Sequence, residues 1–189
     1  MKSLCNHKVV CKYAVEAFKQ TGIGPVIEFG VYDGLTSIEL RKTLGQDHVQ
    51  YACDTFEGMP YDSNALELTG GFVKGHLATA NKEATLKALR ANSIIPIIGK
   101  IEDTLPNLAI KNISFAFFDL DLEQATRYAV DWCLPRLAPK GIIAFHDYHL
   151  AENFSLTGIS TVVHELLPEW DTLYLGNCRT IILQRKCNG

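Results

Sequence analysis

Hydrophobic and polar residues follow one another along this chain in blocks whose spacing changes from helical to strand-like. At the start, apolar side chains recur at helical spacing and the segment "TGIGP" then interrupts them, which predicts an N-terminal helical segment within residues 1–24. Five apolar runs follow and each predicts a strand: "PVIEF", "VQYAC", "IIPIIG", "ISFAFFDL" and "GIIAF". Pro96 inside the third run indicates a short or irregular strand.

Helical patterns separate these runs, over residues 34–44, 81–91, 123–137 and 161–167. Strands that are apolar throughout and alternate with helices are typical of a parallel sheet covered on both faces. The final stretch "DTLYLGNCRTIILQR" predicts two strands around a Gly-Asn turn, which must be antiparallel. We therefore predict an α/β, Rossmann-like fold with a mostly parallel central sheet and a C-terminal antiparallel hairpin.

The chain shows no internal repeat, low-complexity tract or linker, so we expect residues 1–189 to form a single domain. Residues 55–75 are rich in Gly, Pro, Asp and Asn and form a long connection between predicted elements. Connections of this length in a compact domain are often functional. We expect this one to be a flap over an active site.

Composition narrows the class of protein. The chain has 189 residues, 47% hydrophobic and 21% charged, and a formal net charge of −3 with no dense Lys/Arg run, which argues against a nucleic-acid partner. No apolar run is long enough to cross a bilayer, and the N-terminus lacks the apolar core of a secretory signal. The six cysteines form no C-x-x-C pair, and Cys53 and Cys133 lie in apolar segments. We expect a cytoplasmic protein with reduced cysteines and no membrane partner.

In sheets of this kind, ligands bind beyond the carboxyl ends of the strands. The first strand ends in "IEFGVYDGLTS", where Gly30 and Gly34 bracket the turn into a helix and Glu28 precedes it. Tyr32 occupies a position where the dinucleotide fingerprint has glycine, so a ligand with a carboxylate and an amine fits better than a pyrophosphate. A tight turn with two structural glycines is the alternative.

The second and third strands also end near acidic residues. Asp54, at the tip of the second strand, is placed to accept the two hydroxyls of a ribose, although an ordinary turn or cap aspartate is common. After the third strand, Glu102 or Asp103 could meet an adenine amino group. For Asp103, the N-cap of a short helix is an equally good explanation.

The fourth strand ends in "FFDLDLE" and the fifth in "FHDYH", so Asp119 and Asp121 should lie beside His146 and Asp147. Such a group can hold a divalent cation; oxygen ligands favour Mg²⁺ or Ca²⁺, and a histidine shifts the preference toward Mn²⁺, Fe²⁺ or Zn²⁺. The alternative is that Asp119 and Asp147 cap helices or bond to loop backbone. His48 and His149 are expected at the surface.

Taken together, these segments resemble the class I S-adenosylmethionine-dependent methyltransferases. Within them the chain is similar to the macrocin O-methyltransferase family, whose members methylate sugar hydroxyls of antibiotics. The resemblance covers about residues 26–169 and lies in "IEFGVYDGLTS", "CDTFEGMP", "GKIEDTLP", "FFDLDLEQATRYAVDWCLPRLAPKGIIAFHDY" and "TGISTVVHELLPE".

The resemblance implies a role for each strand end. The turn at residues 30–34 would hold the methionine part of S-adenosylmethionine and Asp54 the ribose, with Thr55 and Phe56 beside the adenosine. The family also binds a divalent cation, usually Mg²⁺, and the matching residues are Asp119 and Asp147. His146 stands where the family has an acid, so it either ligates the metal or serves as a general base.

We therefore expect an O-methyltransferase that acts on a hydroxyl of a small molecule, a sugar or a natural-product glycoside, with Asp119, Asp121 and His146 at the reacting centre. Two alternatives stay open at this point. One is a phenol or catechol O-methyltransferase, and the other is a non-catalytic module that binds the adenosyl cofactor. The first predicted helix could also pack on a second copy, so a homo-oligomer is compatible with the sequence.

Overall fold

A computed structural model of the chain describes residues 3–63, 72–148 and 158–186. The helices are α1 (Ser3–Thr21), α2 (Leu35–Leu44), α3 (Lys82–Ala91), α4 (Ile101–Thr104), α5 (Glu123–Cys133) and α6 (Gly158–Leu166). The strands are β1 (Val26–Phe29), β2 (Gln50–Asp54), β3 (Ile95–Ile98), β4 (Ile113–Phe118), β5 (Leu137–Phe145), β6 (Trp170–Leu175) and β7 (Thr180–Arg185). Short 3-10 turns follow α4, α5 and α6 and separate β6 from β7.

The strands form one seven-stranded sheet in the order β3-β2-β1-β4-β5-β7-β6. The five strands from β3 to β5 are parallel, whereas β7 runs antiparallel to both β5 and β6. The fold class predicted from the apolar runs is therefore confirmed. The order reverses direction between β1 and β4, and this switch point is where a ligand cleft is expected.

The apolar strands are covered on both faces, as their composition requires. Successive side chains of a strand point to opposite faces, and in β4 Phe115 and Phe117 pack with α1 and α2, whereas Ala116 and Phe118 pack with α5 and α6. All six residues of β4 are buried. Burying a large apolar side chain contributes about 2 kcal/mol, so this central strand anchors both layers.

Three element boundaries differ from those predicted. Helix α5 ends at Cys133 instead of residue 137, because Leu134 and Pro135 form a 3-10 turn and β5 begins at Leu137. Helix α6 begins at Gly158, which lies directly against the backbone of Glu123. The β6–β7 connection is longer than a two-residue Gly-Asn turn, since it contains a 3-10 turn and a residue in the left-handed region.

Two expectations about individual side chains are corrected. His48 is buried, with 7% of its surface exposed, because its ring packs edge-on against Phe18 at a centroid distance of 5.3 Å and its carbonyl accepts a hydrogen bond from the Arg41 guanidinium. Cys178 is disulfide-bonded, which differs from the expectation of reduced cysteines. Cys53 and Cys133 are free and buried, as their apolar surroundings suggested, and Cys11 is free and buried as well. His149 lies outside the described residues.

Within the described part of the chain, no helix combines the length and the apolar character needed to span a membrane.

Candidate active site at the carboxyl edge of the sheet

The strand register brings six strand ends into one row. Gly30 donates to Cys53 O at 3.0 Å, and Asp119 donates to Phe29 O at 2.8 Å, so the residues after β1 and β4 lie side by side. In the same way His146 donates to Phe118 O at 2.9 Å and Gly99 donates to Asp54 O at 3.0 Å. Arg179, the residue before β7, completes the row, because Tyr148 donates to its carbonyl at 3.0 Å.

The turn after β1 depends on its glycine. Gly30 has φ 83°, and a Cβ added there would overlap Asp119 O. Only glycine combines this backbone conformation with so close an approach to β4. Tyr32 follows with φ 53°, which is strained for a side chain of this size, and Gly34 has φ 83° at the start of α2. Gly34 packs against Leu89 instead of lining the cleft.

Asp54 holds this turn in place. One of its oxygens, Oδ2, accepts the backbone N–H of Val31 at 2.6 Å and of Tyr32 at 2.9 Å. The other, Oδ1, accepts the N–H of Phe56 at 2.7 Å. The carboxylate therefore organises the two loops that follow β1 and β2, and Phe56 itself is buried against Val31 on the far side.

Glu28 is a buried carboxyl group at the floor of the cleft, with 1% of its surface exposed. The hydroxyl of Ser37, from the first turn of α2, donates to its Oε2. Burial raises the pKa of Glu28 well above its usual range; the bond from Ser37 offsets part of this, and the negative charges of Asp119 and Asp54 add to the rise. A cationic ligand group at this place would relieve the cost of ionising Glu28.

Glu102, in α4, faces the same cleft from beyond β3. Tyr61 donates to its Oε1 at 3.1 Å. Its Oε2 atom is buried and accepts no hydrogen bond from the described residues. Buried carboxylate oxygens are nearly always bonded, so this atom indicates a missing donor. Asp103 is not the N-cap of α4; Lys100 holds that position without a side-chain cap.

Asp119, His146 and Asp147 meet at the ends of β4 and β5. His146 Nδ1 lies 3.0 Å from Asp119 Oδ1 and 3.3 Å from Asp147 Oδ2. One ligand atom from each of the three residues falls within 4.8 Å of the others, which is compact enough for a single metal ion. The histidine thus bridges two carboxylates in this structure.

The ends of β4 and β5, with Asp119, Asp121, His146 and Asp147, form one corner of the site. Electrostatic interactions at this corner raise the pKa values of two side chains. Burial alone would lower the pKa of His146, but its hydrogen bonds to Asp119 and Asp147 raise it to about 10. Asp121 is half-buried, and its partial removal from water, together with the charges of Asp119 and Asp147, raises its pKa to about 8. In this arrangement His146 is a cation at neutral pH, while Asp121 exchanges its proton near neutrality.

Arg179 belongs to this corner although no sequence motif pointed to it. Its guanidinium forms an ion pair with Asp147 Oδ1 at 2.8 Å. The residue has φ 46°, like Asp121 at 61° and Asp147 at 54°, so three charged residues of the corner are held in the left-handed region. Strained backbone of this kind is concentrated at functional sites.

The strand ends enclose a cavity of about 430 Å³. His7, from the N-terminal part of α1, and Lys100 also line it, and neither was predicted from the sequence. Seven carboxylate side chains line the cavity: Glu28, Asp33, Asp54, Glu102, Asp119, Asp121 and Asp147. Such a concentration of carboxyl groups in a concave site favours cationic ligands.

The predicted flap lies at the mouth of the cavity, in so far as it is described. Its two arms are joined where Met59 donates to His76 O at 2.8 Å and Ser63 to Phe72 O at 2.9 Å. Met59 also packs against Leu122. Thr55, Met59 and Pro60 line the cavity. Residues 64–71 of the predicted flap lie outside the described residues.

Most of the predicted site residues therefore meet in one place. Gly34 and Phe56 do not line the cavity; they pack against Leu89 and Val31 instead. The other predicted residues line the cavity: Glu28, Gly30, Tyr32, Asp54, Thr55, Glu102, Asp119, Asp121, His146 and Asp147.

This combination of sheet order, glycine turn and acidic strand ends defines a class I methyltransferase type of domain. The structure of the O-methyltransferase NovP aligns with 96% of this chain and 79% of its own, with a TM-score of 0.78 at 18% identity. CalS11, a calicheamicin methyltransferase, aligns with 93% of this chain and 77% of its own, also with a TM-score of 0.78, at 21% identity. At these identities the likeness shows the fold.

Sequence comparison gives the family. Residues 27–148 match the family model described as "Methyltransferase domain", and the chain belongs to this family. A Streptomyces olivaceus protein, 8-demethyl-8-(2,3-dimethoxy-alpha-L-rhamnosyl)-tetracenomycin-C 4'-O-methyltransferase, is 30% identical over 155 residues, which are 72% of this chain. The match spans 58% of that relative's length.

Proposed function

We propose that the protein is an S-adenosylmethionine-dependent O-methyltransferase that acts on a hydroxyl of a small molecule, a sugar or a natural-product glycoside. The observation that carries the proposal is that Glu28, the Gly30 turn, Asp54 and Asp119 line one acidic cavity at the switch point of the sheet. The likeness to a relative named for a rhamnosyl substrate supports a sugar acceptor.

The cofactor carries a positively charged sulfonium and ammonium group, which suit the acidic cavity. The turn at Gly30 would hold the methionine part, with its ammonium near the buried Glu28 carboxyl. Asp54 Oδ2 already accepts two backbone N–H groups. A ribose hydroxyl would therefore be accepted by Oδ1, which receives the N–H of Phe56 at 2.7 Å and the hydroxyl of Thr55 only at 3.5 Å. Glu102 would accept the adenine amino group, and the unbonded Oε2 supports this role.

The reaction would be one in-line displacement, in which the bond from sulfur to the methyl carbon breaks as a bond from the acceptor oxygen forms. The protein must align donor and acceptor and remove the hydroxyl proton. Asp121 is the better base in this arrangement, because its pKa of about 8 suits proton removal near neutrality. His146, with a pKa raised to about 10, would stay protonated between Asp119 and Asp147.

Asp119, His146 and Asp147 also fit a divalent cation, Mg²⁺ or Mn²⁺, since their ligand atoms lie within 4.8 Å of one another. When bound, such an ion supplies Lewis-acid stabilisation of the acceptor oxygen and lowers its pKa. His146 would then be a neutral ligand instead of a cation. Asp119, His146 and Asp147 would hold the ion, and all three line the same cavity as Asp121.

The test is a methyl-transfer assay on the full chain with S-adenosylmethionine, with and without Mg²⁺ or Mn²⁺, against a panel of glycosides, catechols and hydroxyacids. Mass spectrometry should show one added methyl group on a glycoside, and the D121N variant should lose most of that activity. Failure to bind S-adenosylmethionine would contradict the proposal. Tight binding without methylation of any acceptor would favour a non-catalytic module instead.

A further inference from the structure

The ion pair between Arg179 and Asp147 occupies the place where a metal ligand would be needed. Asp147 offers Oδ1 to the Arg179 guanidinium at 2.8 Å and Oδ2 to His146 Nδ1 at 3.3 Å. We propose that Arg179 is the resident counter-ion of Asp147, and that a divalent cation competes with its guanidinium for this carboxylate. The inference rests on the proposed function, since it concerns the cation site of the same cavity.

The backbone of Arg179 is fixed at this corner by the sheet. Strand β7 lies antiparallel beside β5, with Ile181 opposite Phe145, which places Arg179 opposite Asp147. Its carbonyl accepts the N–H of Tyr148 at 3.0 Å, and its own N–H donates to Gly176 O at 3.2 Å. The pairing of β7 with β5 therefore places the positive charge of Arg179 beside Asp147.

The side chain of Arg179, in contrast, borders solvent and can move away from Asp147. It is 38% exposed, whereas the side chain of Asp147 is 18% exposed. An arginine whose stem is anchored and whose head borders solvent can rotate away without opening the core. A guanidinium in this position can therefore be exchanged for another cation at a moderate cost.

Charge counting shows why the two cations exclude one another. Within the described residues the corner holds three acidic side chains, Asp119, Asp121 and Asp147. Two basic side chains, His146 and Arg179, pair with Asp119 and Asp147 at 2.8–3.3 Å. A divalent ion bound to Asp147 would lie a few ångströms from the guanidinium, and repulsion from a unit charge is twice as large for a divalent as for a monovalent ion. With Arg179 in place, a divalent ion would have to displace the guanidinium from Asp147 as well as the contacts that His146 makes with Asp119 and Asp147.

The consequence is a corner that is largely neutralised without a metal. We expect weak binding of divalent cations by the wild-type protein and tighter binding once the guanidinium is removed. We also expect the effect to depend on charge at this position, and not on the loss of any arginine from β7.

The experiment measures Mn²⁺ binding to the full chain by electron paramagnetic resonance, in the presence of S-adenosylhomocysteine and without an acceptor. R179Q should bind Mn²⁺ at least about tenfold more tightly than wild type, because one nearby positive charge is removed. R179K should stay within about threefold of wild type, since it keeps the charge. R185Q is the matched control, because Arg185 stands at the opposite end of β7 and donates to Leu134 O at 2.9 Å.

Three results would overturn the inference: equal or weaker Mn²⁺ affinity in R179Q, an equal gain in R185Q, or no Mn²⁺ binding by R179Q. If the ion pair served only stability, R179Q would have a lower melting temperature and an unchanged Mn²⁺ affinity. Thermal melts followed by circular dichroism identify this case. The experiment does not measure methyl transfer. The ratio of the Mn²⁺ affinities of R179Q and wild type therefore tests this inference even if the proposed function is wrong.

Discussion

The Asp54 carboxylate accepts the backbone N–H of Val31 at 2.6 Å, so the tip of β2 holds the turn that follows β1. The same oxygen binds Tyr32 N–H, and the other oxygen binds the loop after β2. A residue expected to bind a ribose thus also shapes the loop that would receive the methionine part. Cofactor binding and loop geometry are therefore coupled through one side chain.

Replacing Asp54 by asparagine should weaken cofactor binding strongly. The amide keeps one acceptor oxygen but loses the charge, and hydrogen bonds to charged groups contribute about 1.5–3 kcal/mol. We expect D54N to bind S-adenosylhomocysteine about 10–100-fold more weakly by calorimetry. D171N, which removes an exposed carboxylate on β6, is the control and should bind like wild type. Equal affinity of D54N and wild type would contradict the role of this carboxylate.

Gly30 and Gly22 offer a matched pair for the close approach of β1 and β4. Both have positive φ, 83° and 79°, but a Cβ on Gly30 would overlap Asp119 O, whereas one on Gly22 meets nothing within 4 Å. G22A should cost about 1 kcal/mol of unfolding free energy from backbone strain, and G30A about 2–3 kcal/mol more, since β4 must move. Urea denaturation measures both, and similar losses would show that the approach is not tight.

Much of this site follows from the sequence because its causes are local. Apolar runs identify the strands, and a parallel sheet places all of their carboxyl ends on one edge, so acids that directly follow the runs must converge there. Asp54, Asp119 and Asp147 were found in this way. Helix α5 ends, and β5 begins, earlier than the apolar pattern predicts, because Pro135 lies in a 3-10 turn that ends the helix.

The rest depends on contacts that the pattern does not encode. Arg179 reaches Asp147 only because β7 inserts beside β5, and the segment "GNCRT" reveals a turn without naming its neighbour. His48 is buried because its ring packs against Phe18 and its carbonyl accepts a hydrogen bond from Arg41 at 3.1 Å. No sequence pattern distinguishes Ser37 from other helix residues. Its hydroxyl donates to Glu28 because of the way in which α2 lies on the sheet. Each of these requires the tertiary arrangement itself.

The buried Glu28 carboxyl predicts a pH dependence with a definite sign. Its pKa is raised in the folded state, so between the unfolded value of about 4.3 and the folded value the native state keeps a proton that the unfolded state has lost. The unfolding free energy then falls as pH rises through that window, by up to about 1.4 kcal/mol per pH unit. E28Q has no such proton.

Urea titrations between pH 5 and pH 8 check this. The stability of E28Q relative to wild type should increase with pH, while E83Q, the same change on an exposed residue of α3, should show no such trend. A relative stability of E28Q that stays flat or decreases with pH would mean that the Glu28 pKa is not raised.

Arg41 should be important for stability and not for ligand binding. The residue is 2% exposed, and its guanidinium donates to the carbonyls of Gly45, His48 and Ser93, at 3.2, 3.1 and 2.8 Å. R41L leaves these groups without their donor and should lose about 3 kcal/mol of unfolding free energy. R90L, on the exposed side of α3, should change it by less than about 0.5 kcal/mol. Similar losses of unfolding free energy in R41L and R90L would contradict a special role of Arg41 in stability.

The most direct test of the central claim is calorimetric titration of the full chain with S-adenosylhomocysteine, repeated on D54N. We expect binding at a single site in the wild-type protein, with a clear loss of affinity in D54N. No heat of binding and no rise in melting temperature with either S-adenosylhomocysteine or S-adenosylmethionine would contradict the claim that these strand ends form an adenosyl-cofactor site.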